Sequence, residues 1–354
     1  MMKQTKKKTK TKVPLLILAG FVIFVSGAFF WYQNALKPVQ ATSEEFVLIV
    51  ESGDTAKHIA EYLAENGVIK NANAAYIYVK QANLNNIKVG TYHLDKSWDV
   101  KKIFMLLNDV TGADRTDVKV TIPEGLWAKE IAAKIAEVTN VTADELLALW
   151  NNEDYLRSIM PDYPFLTEDI FNDQLKVKLE GYLFPETYYF YANTTAASIT
   201  KKMLDQTELI YEKYKDAFDA SDYSIHELFT LASITQFEAG DIDDDKLVSG
   251  IWFNRLNAKM PLQSSVTVCY ALYDYDHWSA CEVNADLDSP YNTYKYAGIP
   301  IGPIDNPGEN AIISVLYPTK TDYYYFIADV YGDGTIHYAK TYSEHLANIK
   351  KYLN

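Results

Sequence analysis

From Val13 to Leu36 the chain carries no charged residue, and that gap constrains its folding more than any other stretch. The run Val13–Tyr32 is apolar enough to span a bilayer, for which about 20 apolar residues suffice. Lys3, Lys6, Lys7, Lys8, Lys10 and Lys12 precede it without an acid, and Trp31 and Tyr32 stand where an interfacial belt belongs. This pattern predicts a basic cytoplasmic tail over 1–12, a single transmembrane anchor over 13–36, and a remainder outside the cytoplasm, whether extracellular or periplasmic. A cleaved signal peptide is the alternative, with small-residue sites at Ser26-Gly27-Ala28 and Val39-Gln40-Ala41. The length of the run favours the uncleaved anchor.

The net charge is −14 although the tail contributes +6, so the rest of the chain carries −20. A balance of that sign argues against nucleic acid, which selects a basic face. At 354 residues there is room for two or three domains and a substantial core. The 28 Tyr, 15 Phe and 6 Trp suit sugar stacking and serve cores and strands equally well. Cys269 and Cys281, the only cysteines, have eleven residues between them; outside the cytoplasm they are read as one local disulfide or two free thiols. His277 lies between them, but without a CxxC pair it is no zinc signature, and no metal is expected.

After a short polar linker, strand 46–50, helices 56–66 and 72–82, strand 89–94 and helix 100–108 predict a small α+β unit over 44–109. Asp54 or Thr55 caps the first helix and Gly67 ends it. The order strand, helix, helix, strand, together with Ser52-Gly-Asp-Thr-Ala-Lys-His-Ile-Ala60, resembles a LysM-like module. That resemblance implies contact with GlcNAc-containing polymers; a plain spacer domain is the alternative. A polar boundary at 109–117 then opens a larger mixed α/β domain over 117–354. Its strand 118–122 leads to a helix carrying Ile131 and Ile135, and Thr142 with Glu145 forms a capping box. Residues 151–179 read as acidic and irregular. Glu180-Gly-Tyr-Leu-Phe-Pro-Glu-Thr-Tyr188 is broken by Gly181 and Pro185 and reads as a structured aromatic loop. Asp241, Asp243, Asp244 and Asp245 complement the N-terminus of a helix over 247–256. The end of the chain reads as a helix over 309–316, a hairpin at Asp333-Gly334 between strands, and a last helix from Ser343.

Within that domain, Leu228–Gly240 reads as a mostly apolar helix with one acid, Glu238, just before the helix-stopping Gly240. At roughly 100° per residue, Glu238 shares a face with Leu231 and Ile234. A carboxyl aimed along an apolar face is held protonated by a raised pKa unless it is paired, and such an acid suits general acid catalysis near neutral pH. A solvent-facing glutamate at a helix end is the bland alternative.

These stretches in this order resemble the MltG (YceG-like) endolytic murein transglycosylases. The match rests on Glu180–Tyr188, Leu231-Ala-Ser-Ile234 with Glu238, Phe253-Asn-Arg-Leu256, Leu262-Gln263 with Thr267 and Tyr270, Tyr291-Asn-Thr-Tyr294, Gly298-Ile-Pro300 with Gly302, Asn306-Pro-Gly308, and Thr341 with Glu344-His345. Glu238 falls on the second Glu of the family's "ASIxEKE" pattern. Gln236 and Phe237 replace the first Glu and the Lys, Ser265 stands where "LQxDPT" has an acid, and Ile301 replaces a proline of "GLPPGPI".

The resemblance implies cleavage of MurNAc-β-1,4-GlcNAc bonds inside nascent peptidoglycan strands, with Glu238 as acid and then base and 1,6-anhydro ends as product. It implies no cofactor, peptidoglycan synthases (penicillin-binding proteins) as partners, and termination of strand growth as the role. Glu186, Gln263, Asn292 and Tyr294 are candidate groove contacts by motif position and polarity. Arg255 is expected to pair with an acid at its helix end, and His345 to cap, pack or serve chemistry. Two other readings are a water-using muramidase, with Glu180, Glu186 or Asp241 as its second carboxylate, and an inactive membrane-anchored glycan-binding scaffold.

Overall fold

The computed structural model describes residues 25–51, 53–109, 112, 117–238, 241–273, 285–329 and 331–353. Residues 25–35 form helix α1, with Phe29, Phe30 and Trp31 each more than half exposed. Most of the expected anchor lies outside the described residues. Among those described, no helix is long and apolar enough to cross a membrane. The chain divides into two compact units between Thr116 and Asp117.

In the first unit, strand β1 (Glu45–Val50) pairs antiparallel with β2 (Gly90–Asp95), Leu48 opposite Tyr92. Alternation along β1 sends Leu48 and Val50 inward and leaves Val47 exposed. Helices α2 (Ala56–Glu65), α3 (Ala72–Gln81) and α4 (Val100–Asn108) are capped by the side chains of Thr55, Asn71 and Asp99. Gly67, at φ +66°, stops α2 as the sequence predicts, and the Val68 N–H turns back to Leu63 O at 2.8 Å. Ile59, Leu63, Tyr92, Ile103 and Phe104 fill the core.

The second unit opens with β3 (Asp117–Thr121), antiparallel to β4 (Thr187–Tyr191), Val120 opposite Tyr188. Between them lie α5 (Ala128–Ala136), α6 (Ala143–Trp150) and α7 (Glu153–Ile159). The Thr142–Glu145 capping box is present. The stretch expected to be irregular holds α7, capped by Asn152 with Glu153 and Asp154 in its first turn. Those acids suit the positive end of a helix, so their density marks a helix start.

Then follow α8 (Ala196–Lys213), α9 (Lys215–Asp219), α10 (Ile225–Thr235), α11 (Ile242–Asn257), α12 (Ser265–Leu272) and α13 (Glu309–Leu316). The hairpin β5 (Tyr325–Ala328) and β6 (Ile336–Ala339) and helix α14 (Tyr342–Tyr352) complete the unit. Strands among the described residues pair only as antiparallel two-stranded ribbons, so the fold is α+β with small sheets.

Helices carry the core. Trp150, Phe165, Tyr182, Phe229, Trp252, Tyr270 and Tyr291 are fully buried, each ring contributing roughly 1.5–3 kcal/mol on burial. The abundance of tyrosine becomes intelligible here, because buried phenols find partners. The Tyr182 hydroxyl lies 2.8 Å from His226 Nδ1, and the Tyr188 hydroxyl donates to Phe184 O at 2.6 Å. Helix α10 packs against both α11 and α13.

Candidate active site

Helix α10 begins at a capping box, Ser224 with Glu227, and every residue from Leu228 to Thr235 is buried. It stops at Thr235, five residues before the glycine expected to end it. Gln236, Phe237 and Glu238 form a turn, with the Glu238 N–H donating to Thr235 O at 3.0 Å. The acid therefore stands on the turn that follows the helix rather than on the helix itself.

The Glu238 residue is partly exposed, while its carboxyl is desolvated. Burial raises its pKa above the ordinary value. The Ser264 hydroxyl, donating to Oε1 at 2.6 Å, and the Arg255 charge pull the other way. Oε2 has no hydrogen-bond partner among the described residues. Ser264 is the N-cap of α12 and makes no side-chain bond to that helix, because its hydroxyl is turned to Glu238. The positive end of α12 thus adjoins the carboxyl.

Two threonine hydroxyls hold this cap in place. Ser264 N–H donates to Thr293 Oγ1 at 3.0 Å, Thr267 Oγ1 donates to Ser264 O at 2.7 Å, and the two threonine hydroxyls lie 2.9 Å apart. Arg255 braces the same loop from below. Its guanidinium donates to Tyr324 O at 2.6 Å, Leu262 O at 2.7 Å and Pro261 O at 3.2 Å. The expected acid partner at its helix end is replaced by these carbonyls, and no ion pair to Arg255 exists among the described residues. An unpaired guanidinium so placed supplies charge to Glu238 without neutralising it.

Gln263 and Tyr294 flank this cluster and are exposed. Gln263 adopts φ +54° and donates its N–H to Thr293 O at 3.1 Å; Tyr294 lies close enough to Arg255 for its phenol to act on that charge. Asn292 is fully buried. Its amide donates to Ala285 O and Leu287 O, each at 2.8 Å, and its oxygen accepts from the N–H groups of Tyr294 and Lys295. Every polar capacity of that side chain is used by its own loop. Glu186 is exposed on the aromatic loop, its carboxylate accepting from Thr187 N–H at 2.7 Å. No hydrogen bond or ion pair links it to Glu238 among the described residues.

A second buried acid lies in the same unit. Glu180 Oε1 accepts from Ala128 N–H at 2.8 Å and from the Asn306 amide at 2.7 Å, and Oε2 from the Tyr270 hydroxyl at 3.0 Å. Burial pushes its pKa up to about 8 in spite of those donors. Asn306 also receives the N–H groups of Gly181 and Leu183, so one carboxyl and one amide tie the aromatic loop, α5, α12 and the 303–308 loop together. Asp305 beside it is buried, and its pKa is raised well above the usual carboxylate range by burial and by the Glu180 charge. The helix expected over 247–256 starts at Ile242, so of the four aspartates only Asp241 precedes it, capping α11 by accepting from Asp243 and Asp244 N–H at 3.0 Å each, while Asp243, Asp244 and Asp245 lie in its first turn.

His345 is half-buried and stacked on Tyr325, ring centres 5.2 Å apart, with burial and the Arg255 charge lowering its pKa. Cys269 is disulfide-bonded; Cys281 lies outside the described residues, as does His277. Ser264, Thr293 and the bracing role of Arg255 were not predicted. The hydroxyl-rich run Gln263-Ser-Ser-Val-Thr267 is the signal that could have pointed to them.

One desolvated carboxyl, held among the described residues by a single hydroxyl and with its other oxygen open, keeps its proton to higher pH than an ordinary glutamate and can also give it up. Comparison with known proteins shows the family to which this fold belongs. The YceG-like family model matches residues 48–351, and the chain belongs to that family. It is 36% identical over 335 residues to the endolytic murein transglycosylase of Bacillus subtilis, covering 94% of this chain and 92% of that one. It is 31% identical over 358 residues to the endolytic murein transglycosylase of Streptococcus pneumoniae strain D39, covering 95% of this chain and 65% of the relative; the chain thus spans about two thirds of that protein. The crystal structure of a yceG-like protein from Listeria monocytogenes superposes with a TM-score of 0.60 at 32% identity, over 86% of this chain and 99% of that one.

Proposed function

We propose that the chain is an endolytic murein transglycosylase in which Glu238 is the acid and then the base. Family membership supports the reaction, and the observation that carries the residue assignment is a desolvated carboxyl whose Oε2 is open among the described residues. Protonated Glu238 gives its proton to the glycosidic oxygen as the MurNAc–GlcNAc bond breaks. The GlcNAc side leaves as an alcohol. The carboxylate then takes the proton of the MurNAc 6-hydroxyl while that oxygen bonds to the anomeric carbon, closing a 1,6-anhydro ring. The acid ends as it began, and water is not consumed. An intramolecular nucleophile removes much of the entropic barrier, and a single carboxyl suffices.

A hydrolytic muramidase needs a second carboxylate at the same bond. Two of the three candidates are committed elsewhere, Glu180 to its three donors and Asp241 to the cap of α11. In this reading Gln263 and Tyr294 are groove contacts and Asn292 shapes the loop that presents Tyr294. Glu186 is a further groove candidate. The uncharged run at 13–36 anchors the protein with its catalytic unit outside the cytoplasm, and the first unit acts as a LysM-like glycan-binding module. That location suits strands as they emerge from penicillin-binding synthases. Mass analysis of glycan strands treated with the full chain tests the reaction. Anhydro-MurNAc ends are expected; reducing ends would mean hydrolysis, and no cleavage would leave a glycan-binding scaffold.

A further inference from the structure

The turn that carries Glu238 is clamped by one amide side chain, that of Gln236. Gln236 Oε1 accepts the Gly308 N–H at 2.7 Å, and its Nε2 donates to Glu124 Oε2 at 3.3 Å. The opposite assignment of the amide would set its NH2 against an N–H and its oxygen against a carboxylate, so the two partners fix the orientation. The three segments are built around this junction. A Cβ on Gly308 would stand 2.0–2.5 Å from the Glu124 carboxyl, so the loop's backbone closes directly on that acid. Gly125, at φ +78°, donates its N–H to Asn306 O at 2.9 Å and leaves room for the Phe237 ring, 3.1 Å from where its Cβ would be.

We propose that Gln236 is a positioning residue for Glu238, an amide clamp between the Glu124 carboxylate and the Gly308 N–H, and that Glu124 is its specific partner. The inference rests on Glu238 being the catalytic acid. A carboxylate at 236, as the family pattern has, would still accept from Gly308 but would face Glu124 charge against charge. An amide is the group that can accept from one and donate to the other. Among the described residues, Glu238 follows on the same turn, and Asp245 of α11 feels the Glu124 charge, which helps to raise its pKa. Neither supplies a positive charge that would relieve a second carboxylate.

The test compares Gln236→Glu, Glu124→Gln and the double variant in the full chain, purified in detergent, by release of anhydro-terminated products. Gln236→Glu is expected to lower kcat at pH 7 by at least about tenfold with little change in KM, because a displaced acid, not a lost sugar contact, is the defect. The loss shrinks as pH falls, because the carboxyl introduced at 236 can donate across the junction once it holds a proton. The double variant restores an amide opposite a carboxylate with the roles exchanged, and recovers most of kcat and the wild-type pH profile. Glu124→Gln alone loses less than Gln236→Glu. A Gln236→Glu protein with wild-type kcat and pH profile would overturn the proposal, as would a double variant no better than Gln236→Glu. Melting temperatures identify a misfolded single variant, and the double variant then decides by the same criterion. Glu238→Gln is run in parallel. Its retention of full activity would sink the assignment of Glu238 while leaving the coupling between 124 and 236 to be read from the other three proteins.

Discussion

Glu180 and Glu238 are carboxyls of the same unit, and burial raises the pKa of both. Glu180 has donors on both oxygens from three elements distant in sequence, whereas Glu238 has, among the described residues, one serine hydroxyl on Oε1 and an open Oε2. A buried acid with its hydrogen-bond capacity taken up holds a fold together; one left short of partners is available to a substrate. Desolvation alone does not separate the two roles. The partner count does.

The largest effect expected on this contrast is at Glu238. Glu238→Gln keeps an acceptor for Ser264 and loses the proton, so formation of anhydro ends should fall by about 10²–10⁴ with the melting temperature nearly unchanged. A large loss of melting temperature instead would place Glu238 with Glu180 among the structural acids. Glu180→Ala should do the reverse. It strands the Tyr270 hydroxyl, the Asn306 amide and the Ala128 N–H, and should cost about 3 kcal/mol or more in denaturant unfolding.

The pH dependence of stability follows from the same group. Glu180 is raised from an ordinary 4.5 to about 8 in the folded chain, so the folded state holds a proton that the unfolded state has released. Its contribution is fully present below pH 4.5 and is lost as pH rises through about 8. Asp305, also raised, adds in the same direction. Glu180→Gln should therefore flatten the decline in unfolding free energy between those limits. An undiminished slope in that variant would assign the decline to other groups.

What could be read along the chain was local. Thr55, Gly67, the Thr142–Glu145 box and Asp241 act within a few residues of themselves, and each does what its spacing predicts. The end of α10 was misplaced because Gly240 is the nearest stop signal, whereas the stop at Thr235 is set from 72 and 112 residues away, where Gly308 and Glu124 take the Gln236 amide. Glu238 stood out as the one acid of an apolar segment. Its hydroxyl partner lies 26 residues on and carried no distinguishing mark beside Ser265. Arg255 invites an acid partner by its charge alone, and the backbone carbonyls that hold it have no side-chain signature. Local rules thus recover elements and caps, and the site is written in contacts that only folding brings together.

The smallest effect is also the sharpest probe, because it deletes one hydroxyl from each acid. Ser264→Ala removes the only hydrogen bond to the Glu238 carboxyl among the described residues, a bond that favours the ionised form. Its loss should raise the Glu238 pKa further. The protonated acid then persists to higher pH, so the alkaline limb of kcat/KM should move upward while the rate near neutrality changes by less than about tenfold. Tyr270→Phe is the matched deletion at Glu180. It should cost about 1 kcal/mol of stability and leave the alkaline limb where it was. If Ser264→Ala left the limb in place, the group titrating in catalysis would not be Glu238. If Tyr270→Phe moved the limb as well, the two acids would titrate as one system and the distinction by partners would fail.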